Sequence, residues 1–180
     1  LRTPKRTMGK VDGAGTKNSV EQAIKSGLEW LKRQQKTGGN WQLHTGYPDA
    51  GYPVLRTDTG ATALALLAFL GDGHTQQDGD YQETVRQGLK WLRSIQKQDG
   101  DYHDHTELGR QTAFYAHSQA TIAICEAYAL TGDQELAASA DRAIQFLLNS
   151  QHPVEGGWRY QPQERDSMGD LSVTGWGLMA

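Results

Sequence analysis

Residues 27–41 read GLEWLKRQQKTGGNW, and residues 88–102 read GLKWLRSIQKQDGDY. Gly27, Trp30, Leu31, Gln35, Gly39 and Trp41 fall on Gly88, Trp91, Leu92, Gln96, Gly100 and Tyr102 at one constant offset. A third, looser copy runs AIQFLLNSQHPVEGGW over residues 143–158, with Ala143, Phe146, Leu147, Gln151, Gly157 and Trp158 in the same roles and one extra residue in the loop. Self-similarity at this period is the mark of stacked supersecondary units. Each copy reads as a helix followed by its stop. Gly39, Gly100 and Gly157 are expected to supply turn conformations that other residues resist. Gln35, Gln96 and Gln151 are expected to satisfy backbone groups that a helix end leaves unpaired. Trp41, Tyr102 and Trp158 then bury a large ring where loop meets helix.

Outward from the motif, the apolar residues Val20, Ala23, Ile24, Leu28 and Leu31 recur at helical spacing and leave a lysine-rich opposite face. The stripe returns at Val85, Leu89 and Leu92 and again at Leu136, Ala140, Ile144 and Leu147. Between these helices lie others of a different kind: ATALALLAFL from Ala61, ATIAICEAYAL from Ala120, and VTGWGLMA from Val173, in register through Thr62, Thr121 and Thr174. Small and apolar residues surround most of their circumference, so they belong inside. Amphipathic helices outside and apolar helices inside make an all-α fold, a partial α/α toroid of about three helical hairpins. Residues 1–18, rich in glycine and without apolar periodicity, read as a linker or tail, with Asn18-Ser19 capping the first helix of a repeat domain over 19–180. Leu1 in place of a starting methionine, and an apolar run that stops at Ala180 without a helix stop, read as a piece of a longer protein.

The formal net charge of −3 excludes the concentrated basic surface of a nucleic-acid binder. The longest apolar run, Ala61 to Leu70, is about half of the roughly 20 residues a transmembrane helix needs, and Arg2, Lys5, Arg6 and Lys10 are not followed by the apolar stretch of a signal peptide. One cysteine, Cys125, forms no internal disulfide and leaves the compartment open.

The Gln-x-x-x-Gly-x-Trp repeat resembles the squalene-cyclase and protein-prenyltransferase group, whose fold is the α/α toroid. The stretches FYAHSQATIAICEAYALTGD around His117 and SQHPVEGGWRYQP around Trp158 resemble bacterial squalene-cyclase-repeat proteins. In that family the motif is a structural brace. The resemblance also implies where chemistry would sit. Squalene-hopene-type cyclases use an acid in an Asp-x-Asp-Asp motif, and here Asp58-Thr59-Gly60 and Asp170-Leu171-Ser172 each hold a single acid. Prenyltransferases hold zinc through an Asp-x-Cys pair, whereas Ala123 stands two residues before Cys125. Cys125 therefore reads as a small core residue.

The repeat register adds its own candidates. Asp58, His117 and Asp170 each stand four residues before the aligned threonine, at the expected start of an inner helix. They are either helix caps or acid–base groups lining one mouth of a central cavity, with Tyr115 on the rim. Tyr128 and Trp176, with Leu64 and Phe69, are candidates to line an apolar cavity suited to an isoprenoid, where aromatic faces attract cations, or simply to fill the core. His103-Asp104-His105, with Glu107 or Asp101 nearby, is metal-like in spacing but reads as a solvated turn, and no metal or cofactor is expected. Three functions follow: a terpenoid-cyclase-like module that binds an apolar small molecule or a protein partner; a cyclase whose catalytic part lies outside the chain; or a carbohydrate-active α/α barrel using Asp58 and Asp170. Three hairpins make about half a ring, so self-association through the end hairpins is expected.

Overall fold

The computed structural model describes residues 14–43, 55–104, 106–107, 109, 112–162 and 168–180, and every regular element in them is a helix. In chain order these are α1 (Ala14–Gln34), α2 (Asp58–Gly71), α3 (Gln82–Ile95), α4 (Thr112–Thr131), α5 (Gln134–Ser150) and α6 (Leu171–Met179). α1, α3 and α5 are the amphipathic outer helices; α2, α4 and α6 are the apolar inner ones. Together they form an arc of an α/α toroid. α1 begins at Ala14, ahead of the expected Asn18-Ser19 start, so 14–18 is helix rather than tail.

The two classes differ as their sequences dictate. α3 buries Val85, Gly88, Leu89 and Leu92 on one stripe and leaves Arg86 and Lys90 in water. α2 and α4 bury most of their circumference and pack on each other as the centre of the arc. Alanines at 61, 63, 65, 120, 123 and 127 are all buried in these two helices. Small side chains let the helix axes come close, and the apolar area removed from water supplies most of the driving force. α6 buries only Val173 and Gly177.

The pairing of helices differs from a simple outer-then-inner hairpin. α3 packs chiefly on the preceding inner helix α2, and α5 on α4, while α1 touches α2 lightly. The short turns are the inner-to-outer ones: Asp133 caps α5 by accepting from the Glu135 N–H, directly after α4. The motif loops are the long connections. So α2–α3 and α4–α5 are complete hairpins. α1 is an outer helix without an inner helix before it, and α6 an inner helix without an outer helix after it, among the described residues.

Candidate functional site

Each motif loop is the seam between one hairpin and the next. The Trp41 indole N–H donates to the Leu31 carbonyl (2.7 Å) and the Trp158 indole N–H to the Leu147 carbonyl (2.9 Å), so the ring satisfies the last turn of its own outer helix. The glutamines do something else. Gln35 Nε2 donates to the Gly39 carbonyl of its own loop and to the Thr84 carbonyl of α3, both at 2.9 Å. Gln96 Nε2 donates to the Gly100 carbonyl (3.2 Å) and the Ser139 carbonyl of α5 (2.9 Å). One amide thus ties a loop to the outer helix of the next hairpin. Gly39 and Gly100 turn through positive φ of 94° and 98°. A methyl group at Gly39 would lie 2.5 Å from the Gln87 carbonyl oxygen, and one at Gly100 would collide with the Arg142 carbonyl.

The third loop corrects the expected register. The positive φ, 76°, falls on Gly156, and the Gln151 amide donates to the Gly156 carbonyl at 2.7 Å. Gly156 therefore takes the place assigned to Gly157. Gly157 instead allows a close crossing, where a methyl would sit 3.1 Å from the Gly169 Cα.

No hydrogen bond or ion pair joins Asp58, His117 and Asp170 to one another among the described residues. Each is engaged with the motif loop of its own repeat. Asp58 opens α2 and accepts from Asn40 Nδ2 and Gln42 Nε2, both at 3.0 Å; Thr57 is the cap, accepting from the Gly60 N–H. Asp170 is the N-cap of α6, accepting from the Ser172 and Val173 N–H groups at 3.0 Å. The Ser172 hydroxyl, then the Val173 N–H and Tyr160, hold its carboxyl down at about 2. His117 departs furthest from expectation. α4 starts at Thr112, more than a turn earlier, so His117 is inside the helix and wholly buried among Tyr102, Phe114 and Phe146. No helix breaker stands between Thr112 and Ala116 to stop that extra turn.

His117 has a backbone-bracing job. The N–H of Trp41 donates to Thr62 Oγ1 (2.9 Å) and that of Trp158 to Thr174 Oγ1 (3.1 Å). In the middle repeat the Tyr102 N–H points at His117 Nδ1 instead (3.4 Å), and His117 Nε2 faces the Ala143 carbonyl at 3.3 Å. Nδ1 as acceptor and Nε2 as donor define one neutral tautomer. Burial pushes the imidazole down to about 4, although Asp101 Oδ1, 3.6 Å from Nδ1, pulls the other way. A neutral, enclosed imidazole holds the seam rather than the mouth of a cavity.

Sequence reasoning missed the role of Glu107. Its Oε1 accepts the Thr59 N–H at the start of α2 (2.8 Å), and its side chain is almost fully buried. His103 Nδ1 lies 3.8 Å from the other carboxylate oxygen, and burial lowers its pKa. His105 is outside the described residues, and among those described no three His, Cys, Asp or Glu side chains are placed to hold one metal ion.

The aromatic cavity residues separate in the same way. Phe69 is core, and Tyr128 packs half-buried against that core. Tyr115 bonds through its hydroxyl to Ser172 and lies against Tyr160. Trp176 is half-buried on α6. Leu64 alone of this set lines a largely apolar groove of about 230 Å³, whose walls include Trp30, Leu31, Trp41 and Leu43 together with the polar Gln34 and Gln42. The groove lies between α1, the first motif loop and α2. Cys125, as its alanine-rich surroundings imply, packs against the core, and burial raises its thiol pKa. Among the described residues no helix is long and apolar enough to cross a membrane.

The family model for the squalene-hopene cyclase C-terminal domain matches residues 7–117. Lanosterol synthase of Mus musculus is 30% identical over 153 residues, which is 82% of this chain and 19% of that protein. Ent-copalyl diphosphate synthase of Streptomyces sp. (strain KO-3988) is 27% identical over 131 residues, 73% of this chain and 24% of that one. The chain thus spans about a fifth to a quarter of the length of these relatives. No solved structure matches it. With the repeat, the helical arc and the family match in agreement, the chain belongs to the squalene-hopene cyclase C-terminal domain family.

Proposed function

We propose that the chain is a non-catalytic binding module of the terpenoid-cyclase type, taking an apolar small molecule or the apolar face of a partner in the groove between α1 and α2. The observation that carries this is the chemistry at the start of α2. Counted from Asp58, the other two acids of an Asp-x-Asp-Asp motif fall on Gly60 and Ala61, neither of which can donate a proton. Asp58 itself is engaged by the first motif loop, accepting at Oδ2 from the Asn40 and Gln42 side-chain amides. Beside this inert helix start, Trp30 and Leu64 stay substantially exposed and give the groove an accessible apolar lining.

The test offers the chain a linear isoprenoid. Saturable quenching of tryptophan fluorescence by farnesol, abolished in Leu64→Asp, is the expected result. Squalene and geranylgeranyl diphosphate should be recovered unchanged by gas chromatography. A cyclic product would overturn the reading in favour of a cyclase.

A further inference from the structure

The outer face of the arc carries one register twice, first where α3 follows α1 and again where α5 follows α3. The motif glutamines fix the correspondence: Gln35 reaches Thr84 as Gln96 reaches Ser139. Tyr81 therefore corresponds to Leu136, Gln87 to Arg142 and Glu29 to Lys90. In the first seam the polar groups are satisfied by one another. The buried Tyr81 donates its hydroxyl to Glu29 (2.8 Å), and the Lys32 ammonium lies 5.7 Å from the centre of its ring. Glu83 takes both Arg86 and the Gln87 amide.

In the second seam both members of that sealing pair are replaced. Leu136 has no hydroxyl to donate, and Lys90 reverses the charge of Glu29. A groove of about 460 Å³ lies there, with Lys90, Arg93 and Ser94 of α3 on one wall and Glu135, Ser139 and Arg142 of α5 on the other. Three cations thus share one carboxylate, in a chain whose formal net charge is −3. Arg93 pairs with Glu135 (2.7 Å), and Arg142 donates one N–H to Gln96 Oε1 (2.7 Å). Each guanidinium has five N–H donors, so each has donors to spare. Lys90 is exposed and makes no hydrogen bond or ion pair among the described residues.

We propose that this groove is an anion site, taking the phosphate group of a small, soluble phosphorylated molecule across the α3–α5 seam. The donor set is what selects phosphate: a guanidinium from each wall matches its oxygens in planar, forked pairs, and the Lys90 ammonium adds a point charge. A phosphate dianion offsets the two positive charges that Glu135 leaves uncompensated. The volume falls within the roughly 300–1,000 Å³ of small-molecule sites, which leaves room for an organic part beyond the phosphate. Glu135 opposes the anion, so neutralising it fixes the sign of the interaction. The site shares no residue with the apolar groove between α1 and α2 and stands whatever occupies that groove.

The experiment is an amide NMR titration of the chain with inorganic phosphate, repeated with succinate as a carboxylate dianion. Phosphate should give saturating shifts on both walls, in α3 around Lys90 and Arg93 and in α5 around Glu135 and Arg142, and succinate should bind more weakly. Lys90→Glu, which installs the residue type of the first seam, should weaken phosphate by about tenfold or more. Lys25→Glu makes the same charge change at an exposed position of α1 and should leave the midpoint within about twofold. Glu135→Gln should tighten binding. All three positions are exposed, and unchanged helical circular dichroism checks that each variant folds. Shifts that never saturate, a succinate midpoint equal to that of phosphate, equal losses in Lys90→Glu and Lys25→Glu, or a Glu135→Gln midpoint that does not fall each overturn the proposal. So does Lys90-dependent retention on phosphatidylcholine vesicles containing phosphatidic acid, which would make the groove a membrane contact, or a preference for poly-glutamate over phosphate, which would make it an acidic-peptide site.

Discussion

Gly100 and Gly156 both turn the chain through positive φ, and both offer their carbonyl to the glutamine of their own loop. There the likeness ends. Gly100 is pressed against the Arg142 carbonyl of α5, and Gln96 also receives hydrogen bonds at Oε1 from Ser139 (2.8 Å) and Arg142 (2.7 Å). A methyl at Gly156 would meet only its own glutamine, at 3.9 Å. The repeat motif is therefore two devices in one stretch of sequence. The turn and the ring finish their own helix and work anywhere. The glutamine and the close-packed glycine grip the next hairpin and act only where one is seated. Energies should divide along the same line.

Removing the ring should cost most. Trp41→Ala empties a fully buried site that touches Phe69 and Gly88 and loses the bond to Leu31, so unfolding should become easier by about 3–5 kcal/mol. Trp158→Ala should fall at the lower end of that range, because its ring has α6 and Phe114 against it and, among the described residues, no following outer helix. Equal losses in chemical denaturation would mean that the ring contributes nothing to the seam.

The middle seam should also answer to pH, between about 4 and 6.5. His117 titrates near 4 in the folded chain because burial disfavours its charged form, against about 6.5 unfolded. Between those values the unfolded chain binds more protons, so stability is full above about pH 6.5 and is lost as pH falls toward 4. The loss should be at most about 3 kcal/mol. His117→Gln should flatten that part of the stability profile while lowering stability at neutral pH. A wild-type profile already flat between pH 4 and 6.5 would show that the imidazole is not sequestered.

Gly100→Ala should cost about 2–3 kcal/mol, from left-handed backbone strain together with displacement of α5. Gly156→Ala meets open space and should cost only the strain, about 1 kcal/mol. A difference near zero in thermal melting would remove the distinction between gripped and open loops.

Much of this architecture is legible in the residues because the repeat must solve one problem three times. Helix stop, buried ring and alanine-rich inner helix each need particular residue types, and Thr62, Thr121 and Thr174 keep the register. The grip is not legible, because Gln35 and Gln96 bond to backbone carbonyls, and Thr84 and Ser139 carry no signature of that role. Gly156 and Gly157 are adjacent glycines in a lengthened loop, and only the backbone shows which one has positive φ. His117 looked like a helix start by alignment, yet α4 gains an extra turn from ordinary helix formers ahead of it. His117 is therefore enclosed within α4, while Asp58 and Asp170 are each engaged with their own loops. Alignment places residues at equivalent heights of a repeat; it does not say that their side chains meet.

The smallest effect discriminates most sharply. Gln96→Ala leaves the Gly100 and Ser139 carbonyls without their shared donor and strips Ser139 and Arg142 of an acceptor, which should cost about 2 kcal/mol. Gln151→Ala removes one exposed loop bond, worth about 0.5–1 kcal/mol. Equal penalties for the two substitutions in chemical denaturation would leave Gln96 a helix stop and nothing more.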